Sequence, residues 1–386
     1  MKNNLKNMDK PLFILVTILS IFGAVMIYTA SSVSTILRYD TETWHFFSNQ
    51  LIFIAFMYFI AFPLVLNYPT KKYAKFQVLI LVVCAFSLLS LLLFGESTNS
   101  AVSWFSIADK FSIQPSEFAK SFIIVLSSIY YNMINKGRQT ATQNFSVLGL
   151  GLGAAFLVSA QPDLGSAVIL AGISVMMFLA TPFVYKNGKK FVMALFVLGI
   201  MAVGTFYTLK ENFLTPMQLS RFEFAQPCQR ISEDTGYQVC NGFIAINNGG
   251  MFGVGFGNST QKYLYLPESH TDFIFPIIIE EVGYISGIII LIIYILILSR
   301  LIKIAREAHN IRCSMLAYGT FCFISLHIFV NLYGILALMP LTGVPLPFLS
   351  YGGSSIANCL LMVFISLRVS VENREEEIKK VMSKYK

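Results

Sequence analysis

The sequence predicts an all-α polytopic membrane protein, built as one integral membrane domain over residues 1–386. Its composition is 55% hydrophobic and 12% charged, and its mean hydropathy is +0.67. Apolar runs of about 20 residues recur along the chain, and that length matches a hydrocarbon core of about 30 Å. The same observations exclude a soluble multidomain protein.

The apolar runs place about ten transmembrane helices, at residues 11–31, 46–66, 76–94, 118–135, 145–160, 164–183, 191–209, 273–299, 313–338 and 354–369. A basic tail precedes the first run, as in a secretory signal peptide. Its apolar core is longer than such a peptide has, so we expect a retained helix. With ten helices, 21 of the 28 Lys and Arg residues lie on the side of both termini. The positive-inside rule therefore predicts cytoplasmic termini.

The net charge of +8 reports topology and not nucleic-acid binding, because the basic residues lie mostly in the short inner connections. Acidic residues follow the opposite trend, with 14 of the 20 Asp and Glu on the outer side or in the outer part of the eighth helix. An acidic outer face fits a site for cations, or for a substrate whose phosphates contact a few chosen bases.

Three outer segments and one inner tail lie outside the predicted helices. Residues 99–120 resemble an interfacial amphipathic piece with Trp104 at the headgroup level. The extracellular loop 209–271, between the seventh and eighth helices, is long enough to carry function. Residues 339–355 are apolar but rich in Pro and Gly, so we expect them to be re-entrant or folded over the site. The cytoplasmic tail 370–386 is predicted to be a short mixed-charge helix or a frayed end.

Six cysteines are spread along the chain without the spacing of a metal site. Four of them lie in or beside apolar runs, as small buried hydrophobic residues do. Cys228 and Cys240 share the long outer loop, and they can form a disulfide if that loop faces an oxidising exterior.

The stretch 249–283 concentrates the candidate chemistry. It starts as a Gly-rich loop without the βαβ context of a dinucleotide site, and then carries Lys262, Glu268 and His270. Asp272 begins the predicted eighth helix, where it can serve as the N-cap. A half-dehydrated position near other ionisable groups also favours a general base. The two roles are compatible.

Glu280 and Glu281 follow about two turns deeper on different helix faces. Glu280 can extend a polar cavity and Glu281 can pair with another helix, while purely structural hydrogen bonding explains either residue. Candidate cations for a phosphate, each alternatively a plain surface charge, are Lys262, Lys120, Arg221 and Arg230.

Several segments resemble the FtsW/RodA family of shape, elongation, division and sporulation proteins. The matching stretches are FSIQPSEFAK (111–120), QPDLGSA (161–167), GYQVCNGFIAINNGGMFGVGFGNSTQKYLYLPESHTDFIF (236–275), EEVG (280–283) and TGVPLPFLSYGGSS (342–355). They follow the family order over most of the chain. The segment GNSTQKYLYLPE is more similar to the division branch, FtsW, than to the elongation branch, RodA.

The resemblance implies a peptidoglycan glycosyltransferase that polymerises lipid II outside the bacterial cytoplasmic membrane, for division or elongation. A class B penicillin-binding protein is the implied transpeptidase partner, and no nucleic acid is expected. The Asp of the HTDF motif is required in that family, so Asp272 is expected to be the general base. The family commonly has Arg where Ser103 precedes the Trp here, which argues against a phosphate role at that position. Substrate-binding residues are expected at Lys262, Glu268, His270, Lys120, Trp104, Ser350 and Gly352.

Other readings stay open. A divalent cation, Mg²⁺ or Mn²⁺, can bridge a diphosphate and a carboxylate, although the sequence shows no ligand set. A lipid II flippase would use intramembrane acidic residues and broken helices, but through the full membrane depth, whereas the ionisable residues here concentrate in the outer half. A noncatalytic scaffold of the synthase complex would tolerate Asp272→Asn.

Overall fold

The structure is a computed structural model that describes residues 2–38, 41–94, 96–98, 101–107, 111–137, 141–161, 163–182, 190, 224–232, 234–263, 265–267 and 269–384. The predicted seventh helix, 191–209, and the first part of the long outer loop lie outside these residues.

Among the described residues, the first half of the chain forms eight α-helices: α1 (Lys2–Asn7), α2 (Lys10–Leu37), α3 (His45–Phe56), α4 (Phe62–Asn67), α5 (Gln77–Phe94), α6 (Pro115–Lys136), α7 (Ala141–Ser159) and α8 (Leu164–Leu179). A π-helical turn joins α3 to α4, and a 3-10 helix leads into α5. The second half forms α9 (Asp234–Gly249), α10 (Ile274–Val282), α11 (Tyr284–Arg306), α12 (Ile311–Ile335) and α13 (Gly353–Lys384).

Side chains fix where several of these helices begin. Asp9 accepts a hydrogen bond from the Leu12 amide at the start of α2, at 3.0 Å. Asn310 does the same for the Cys313 amide at the start of α12, at 2.8 Å. Pro115 occupies the first turn of α6, where its missing N–H costs no intrahelical bond.

Seven helical stretches among the described residues are long and apolar enough to cross a membrane, and α8 is a shorter apolar helix. α6 matches the predicted fourth helix, but its inward face buries several polar residues, including Glu117 and Lys120. The prediction of a helical, multi-pass membrane fold is confirmed.

The bundle is organised around α12 and α13. The spanning window of α12 is 67% buried and that of α13 is 83% buried, whereas the window that contains α5 is 17% buried. α12 packs against α6, α8, α11 and α13. The helices near the outside of the bundle therefore face lipid, while α12 and α13 carry the residues that other helices must fit.

A small antiparallel sheet was not predicted. Strands β1 (Glu96–Thr98), β2 (Ala101–Ile107) and β3 (Phe111–Ile113) lie between α5 and α6, in the order β1-β2-β3. Glu96 pairs with Trp104, and Phe105 pairs with Ile113. β1 and β3 have three residues each, and in β2 Trp104 and Phe105 are consecutive apolar residues, so the sequence lacks the alternating pattern of a strand.

The predicted eighth helix is not continuous. It is divided into α10 and α11 at Gly283, which has φ 90° and ψ 171°. A Cβ at Gly283 would lie 2.3 Å from the backbone oxygen of Met251. The Gly-rich loop crosses the break, and its Gly250 carbonyl accepts a hydrogen bond from the Tyr284 amide at 2.9 Å. The break thus provides backbone donors and acceptors for this loop.

A disulfide joins Cys228 to Cys240, with the two Cα atoms 4.9 Å apart. It connects the 3-10 helix Pro227–Gln229 to α9. The sequence left this pair open, because the pairing depends on how the loop folds.

The tail does not fray after residue 370. α13 continues without interruption through Lys384. Near its middle, Glu372 accepts hydrogen bonds from the Thr70 amide at 2.7 Å and the Thr70 hydroxyl at 2.6 Å. Arg300 of α11 pairs with Asp9, whose amide donates to Ser370 at 3.0 Å. These contacts connect the middle of α13 to the start of α2 and of the 3-10 helix Thr70–Phe76, and they connect the start of α2 to α11.

Gly23 of α2 packs directly on the backbone of the irregular segment 339–355. A Cβ at Gly23 would lie 2.3 Å from the Phe348 oxygen and 2.8 Å from the Leu349 Cα. We expect Gly23→Ala to lower the free energy of unfolding by about 1–3 kcal/mol, because the helix must shift to make room. Thermal unfolding in detergent measures this.

The matched control is Gly153→Ala in the middle of α7, where a new Cβ meets nothing within 4 Å. Alanine is favoured over glycine by about 0.5–1 kcal/mol in a helix, so this variant should be slightly stabilised. A Gly23→Ala protein as stable as Gly153→Ala would show that α2 can move freely from this segment.

Candidate active site

Polar residues from distant parts of the chain meet at the end of the bundle that the charge pattern predicts to be outer. Asp163 caps α8 by accepting from the Ser166 amide at 3.0 Å. Its other carboxylate oxygen accepts from Gln114 Nε2 and Ser116 Oγ, both at 2.9 Å. The beginnings of α6 and α8 are therefore held together by one carboxylate.

The irregular segment 339–355 closes over the start of α8. A Cβ at Gly165 would lie 2.9 Å from the Thr342 oxygen and 2.8 Å from Val344 Cγ2. Only a glycine allows the two backbones to come this close. The close contact brings the segment next to Asp272.

Asn331 of α12 holds Asp272 and the segment in one arrangement. Its Nδ2 donates to the backbone oxygens of Asp272 and Val344, both at 2.8 Å. Gly343 has φ 67°, and a Cβ on it would lie 3.8 Å from Asp272 Oδ2. The backbone of Gly343 therefore lies close beside the carboxylate, and a Cβ on it would come within van der Waals contact of that group.

Asp272 is not a helix cap. α10 begins at Ile274, its N-cap position is Phe273, and no side chain caps it. The Asp272 residue is buried, with 7% of its surface exposed, and Thr271 Oγ1 lies 3.3 Å from its Oδ1. The capping interpretation is wrong, so chemistry at this carboxylate does not compete with a role at the helix end.

His270 lies in an aromatic setting beside Asp272. Its ring stacks on Phe46 with centroids 4.5 Å apart and lies 5.8 Å from the Tyr351 ring. Its carbonyl accepts a hydrogen bond from the Tyr351 amide at 2.9 Å. Burial, together with the positive charge of Arg38, lowers the pKa of His270 to about 4. The ring is therefore neutral near pH 7, and it positions the loop against the segment.

The depressed pKa of His270 predicts a loss of stability in acid. The unfolded chain binds a proton at this residue below about pH 6.5, whereas the folded chain does so only near pH 4. Folding is therefore weakened as the pH falls through that window, by about 2 kcal/mol between pH 7.5 and pH 5. His270→Phe, which keeps the stacking, should lose less thermal stability over this range. An equal loss in both proteins would contradict the assignment.

Ser350 and Gly352 are held by a buried amide. Gln50 Nε2 donates to the Ser350 carbonyl at 3.3 Å, and Gln50 Oε1 accepts from the Gly352 amide at 3.3 Å. The Ser350 hydroxyl accepts from the Leu346 amide at 2.8 Å. The backbone of the segment 339–355 is therefore held in place at these two predicted site residues.

Glu280 anchors the outer loop to α10. Its carboxylate accepts from Asn248 Nδ2 at 3.2 Å, from Thr260 Oγ1 at 2.9 Å and from the Ser259 hydroxyl. The amides of Thr260 and Gln261 also donate to it, both at 3.3 Å. Its role here is to fix the loop 258–261 and α9 to the helix.

Lys262 pairs with Glu281. Lys262 Nζ lies 3.2 Å from Glu281 Oε1 and donates to the Gly257 carbonyl at 2.5 Å. Both side chains are buried, with 3% and 0% exposed. Glu281 was expected to pair with another helix, but its partner Lys262 lies in the loop that precedes α10. Lys262 therefore already has a carboxylate partner within the protein.

Lys120 lies inside the bundle, away from the aromatic setting of His270. Its Nζ is 2.6 Å from Glu117 Oε1 and 2.9 Å from His327 Nε2. The Lys120 side chain is completely buried. Asn358 of α13 donates to the Glu117 carbonyl at 2.8 Å. This cluster connects α6, α12 and α13, one turn below Ser116.

Two predicted site residues cannot be placed in full. Trp104 belongs to β2 and pairs with Glu96 through the backbone, but its side chain is outside the described part of the structure. Glu268 is outside the described residues. The structure therefore brings together His270, Asp272, Ser350 and Gly352, and it places Lys262 and Lys120 in separate ion pairs.

Gln50 and Asn331 were not predicted as site residues. Both are amides in otherwise apolar helices, and both are buried, at 1% and 4% exposed. A polar side chain at membrane depth needs a partner. An isolated amide in an apolar helix therefore indicates a contact with another part of the chain.

The arrangement can remove a proton from a bound hydroxyl. Asp272 is a buried carboxylate that lies beside Gly343. Among the described residues, no group of three or more His, Cys, Asp or Glu could hold a metal ion. Acid–base chemistry at a hydroxyl needs one positioned carboxylate, and Asp272 supplies one.

Comparisons with known proteins agree over nearly the whole chain. A family model for FtsW, RodA and SpoVE, described as cell cycle protein, matches residues 9–375. The probable peptidoglycan glycosyltransferase FtsW of Bacillus subtilis (strain 168) is 35% identical over 386 residues, covering 98% of this chain and 94% of the relative. Stage V sporulation protein E of the same organism is 32% identical over 370 residues, covering 95% and 98%.

Solved structures share the fold. A structure described as showing the coordination of polymerization and crosslinking by a peptidoglycan synthase complex has a TM-score of 0.75 at 21% identity, covering 95% of this chain and 98% of that one. The rod shape determining protein RodA of Thermus thermophilus has a TM-score of 0.63 at 22% identity, covering 94% and 96%. Identities this low show the fold alone.

Proposed function

This chain belongs to the FtsW/RodA/SpoVE family of cell cycle proteins, and from that premise we propose that it is a peptidoglycan glycosyltransferase that polymerises lipid II. The observation that supports the proposal is the placement of Asp272, a buried residue whose backbone oxygen Asn331 holds and whose carboxylate lies beside Gly343. The relatives named FtsW favour a role in division over one in elongation.

The reaction is a single displacement. Asp272 takes the proton from the 4-hydroxyl of the acceptor GlcNAc as that oxygen bonds to the anomeric carbon of the donor. The bond from that carbon to the diphosphate breaks, and the undecaprenyl diphosphate leaves with the electron pair. Because attack and departure occur on opposite faces, an α-linked donor gives a β-linked product. A general base in this position contributes about 10²–10⁴-fold to the rate.

The diphosphate needs positive charge. Lys120 and Lys262 are buried beside Glu117 and Glu281, so we propose that they hold the structure and do not contact the phosphates. Arg38 is an exposed base beside the loop of His270, and its Nη1 donates to the Pro267 carbonyl at 3.2 Å. We propose that the guanidinium group of Arg38 contacts the diphosphate of the leaving group. A divalent ion between the diphosphate and Asp272 stays a prediction.

Membership of this family also suggests the location of the enzyme in the membrane and the identity of its partner protein. The chain is a multi-pass membrane protein, and we propose that Asp272 faces the outer side of the bacterial cytoplasmic membrane, opposite the end that carries most Lys and Arg. The proposed partner is a class B penicillin-binding protein, which crosslinks the strands that this enzyme makes.

A lipid II flippase is the second candidate. The buried cluster of Glu117, Lys120 and His327 favours it, because ionisable groups inside a bundle often mark transport pathways. In this structure, however, these three side chains contact each other and are buried between α6 and α12. The glycosyltransferase explains the Asp272 geometry, which a flippase or a scaffold does not need.

Polymerisation of purified lipid II separates these functions. The full chain, with and without its penicillin-binding partner, is incubated with labelled lipid II in detergent, and glycan strands are resolved on a gel. In parallel, liposomes that contain the chain are tested for translocation of the same lipid. Strands in the first assay support the glycosyltransferase. Translocation without strands would support the flippase instead. If neither strands nor translocation are observed, a scaffold is the remaining function.

A further inference from the structure

A groove lies between α11 and α12 at the end of the bundle opposite Asp272. It has a volume of about 490 Å³, within the range of small-ligand sites. Leu298 and Ile302 of α11 and Phe321 of α12 form its apolar wall, and Lys303 and Arg306 lie at its rim. Apolar surface and positive charge are thus present in one cleft.

The basic side chains of Lys303 and Arg306 are available to a ligand. Arg306 forms no ion pair within the described part of the chain, and Lys303 Nζ is 3.7 Å from Glu307 Oε1. Lys303 and Glu307 are 52% and 58% exposed, so their interaction is weak and screened by water. By contrast, Arg300, one turn earlier on α11, is occupied by Asp9. The groove therefore keeps a net positive charge.

The position of the groove relative to the membrane selects its ligand. α11 crosses the membrane, and its exposed Ile288, Ile292 and Ile295 face lipid before the groove is reached. The basic residues follow directly at the end predicted to be cytoplasmic. Basic pockets between transmembrane helices on that side bind anionic lipid headgroups.

We propose that this groove binds an anionic phospholipid of the inner leaflet. Lys303 and Arg306 contact its phosphodiester, and an acyl chain lies along Leu298, Ile302 and Phe321. Arg suits this task because its planar guanidinium forms two parallel hydrogen bonds to phosphate. Glu307 limits the affinity by competing for Lys303. The site is separate from Asp272, so it does not depend on the proposed glycosyltransferase reaction.

Thermal unfolding of the purified full chain tests this site. Phosphatidylglycerol is titrated into the detergent-solubilised protein, with phosphatidylcholine as the zwitterionic reference. We expect phosphatidylglycerol to raise the melting temperature of the wild type, and Lys303→Gln/Arg306→Gln to weaken the apparent affinity by about tenfold or more. Glu307→Gln should strengthen it. The matched control, Lys379→Gln/Lys380→Gln on the exposed tail of α13, should behave as wild type.

Three results would overturn the proposal. An equal response to phosphatidylglycerol in wild type and Lys303→Gln/Arg306→Gln would place the lipid elsewhere. An equal response to phosphatidylcholine would show that charge is not recognised. Inorganic phosphate that gives the same shift as the lipid would mean that the groove takes a soluble phosphate and not a lipid headgroup. Because these variants are exposed and keep Asp272, their polymerase activity reports separately on the proposed function.

Discussion

Asp272→Asn is expected to lower the rate of glycan polymerisation by about 10²–10⁴-fold while the protein stays folded. Asparagine keeps the size of the side chain and removes the group that accepts the proton. The substitution should not disturb α10, because Phe273 and not Asp272 occupies the N-cap position. Asn331 contacts the backbone oxygen of residue 272, so that contact also survives. Strand formation from lipid II measures the rate, and the melting temperature measures the fold.

Two further variants sharpen the interpretation. Asp272→Glu keeps a carboxylate but moves it, and a displacement of about 1 Å can cost about 10²-fold, so we expect an intermediate rate. Asp9→Asn removes a different carboxylate, which pairs with Arg300 near the opposite end, and it should reduce stability without abolishing polymerisation. If folded Asp272→Asn still makes strands at the wild-type rate, Asp272 is not the general base.

The second large effect is expected at Glu280. Glu280→Ala should lower the free energy of unfolding by about 3 kcal/mol or more, because it leaves several buried donors without an acceptor. The loop 258–261 and α9 lose their common anchor. Thermal unfolding in detergent and the rate of proteolysis within the loop measure the change. Polymerisation should fall too, since the loop leads directly to His270 and Asp272.

Graded variants distinguish this anchor from a simple loss of charge. Glu280→Gln keeps one acceptor oxygen, so its stability should lie between those of the wild type and Glu280→Ala. Glu377→Ala on the tail removes a carboxylate that is 63% exposed, and it should change stability by less than about 0.5 kcal/mol. A Glu280→Ala protein with wild-type melting temperature and proteolysis would mean that other contacts hold the loop.

Most of the membrane architecture could be predicted because one physical rule determines it. A helix that crosses a bilayer needs about 20 apolar residues, and α2, α5 and α12 follow that rule closely. The break at Gly283 could not be predicted, because glycine is tolerated within transmembrane helices. It depends on the loop around Met251, whose position only the folded chain defines.

The candidate site was predicted in part for a similar reason. His270 and Asp272 are separated by a single residue in the sequence, and their motif identified them. The contacts that place them come from Gln50, Asn331 and Gly343, which are far apart in the chain. The pairing of Lys262 with Glu281 is likewise a contact over 19 residues. Spacing along one segment carries no information about such partners.

The uninterrupted length of α13 has a mechanical consequence. Its first residue, Gly353, lies within the segment 339–355, and its last, Lys384, belongs to the tail. At 1.5 Å per residue, 32 residues form a rod about 48 Å long. Because a rigid helix does not bend easily, a lateral displacement of one end also moves the other end, while the packed middle stays in place. A protein that binds the end of α13 near Lys384 would thereby act on the segment 339–355 at the opposite end of the helix.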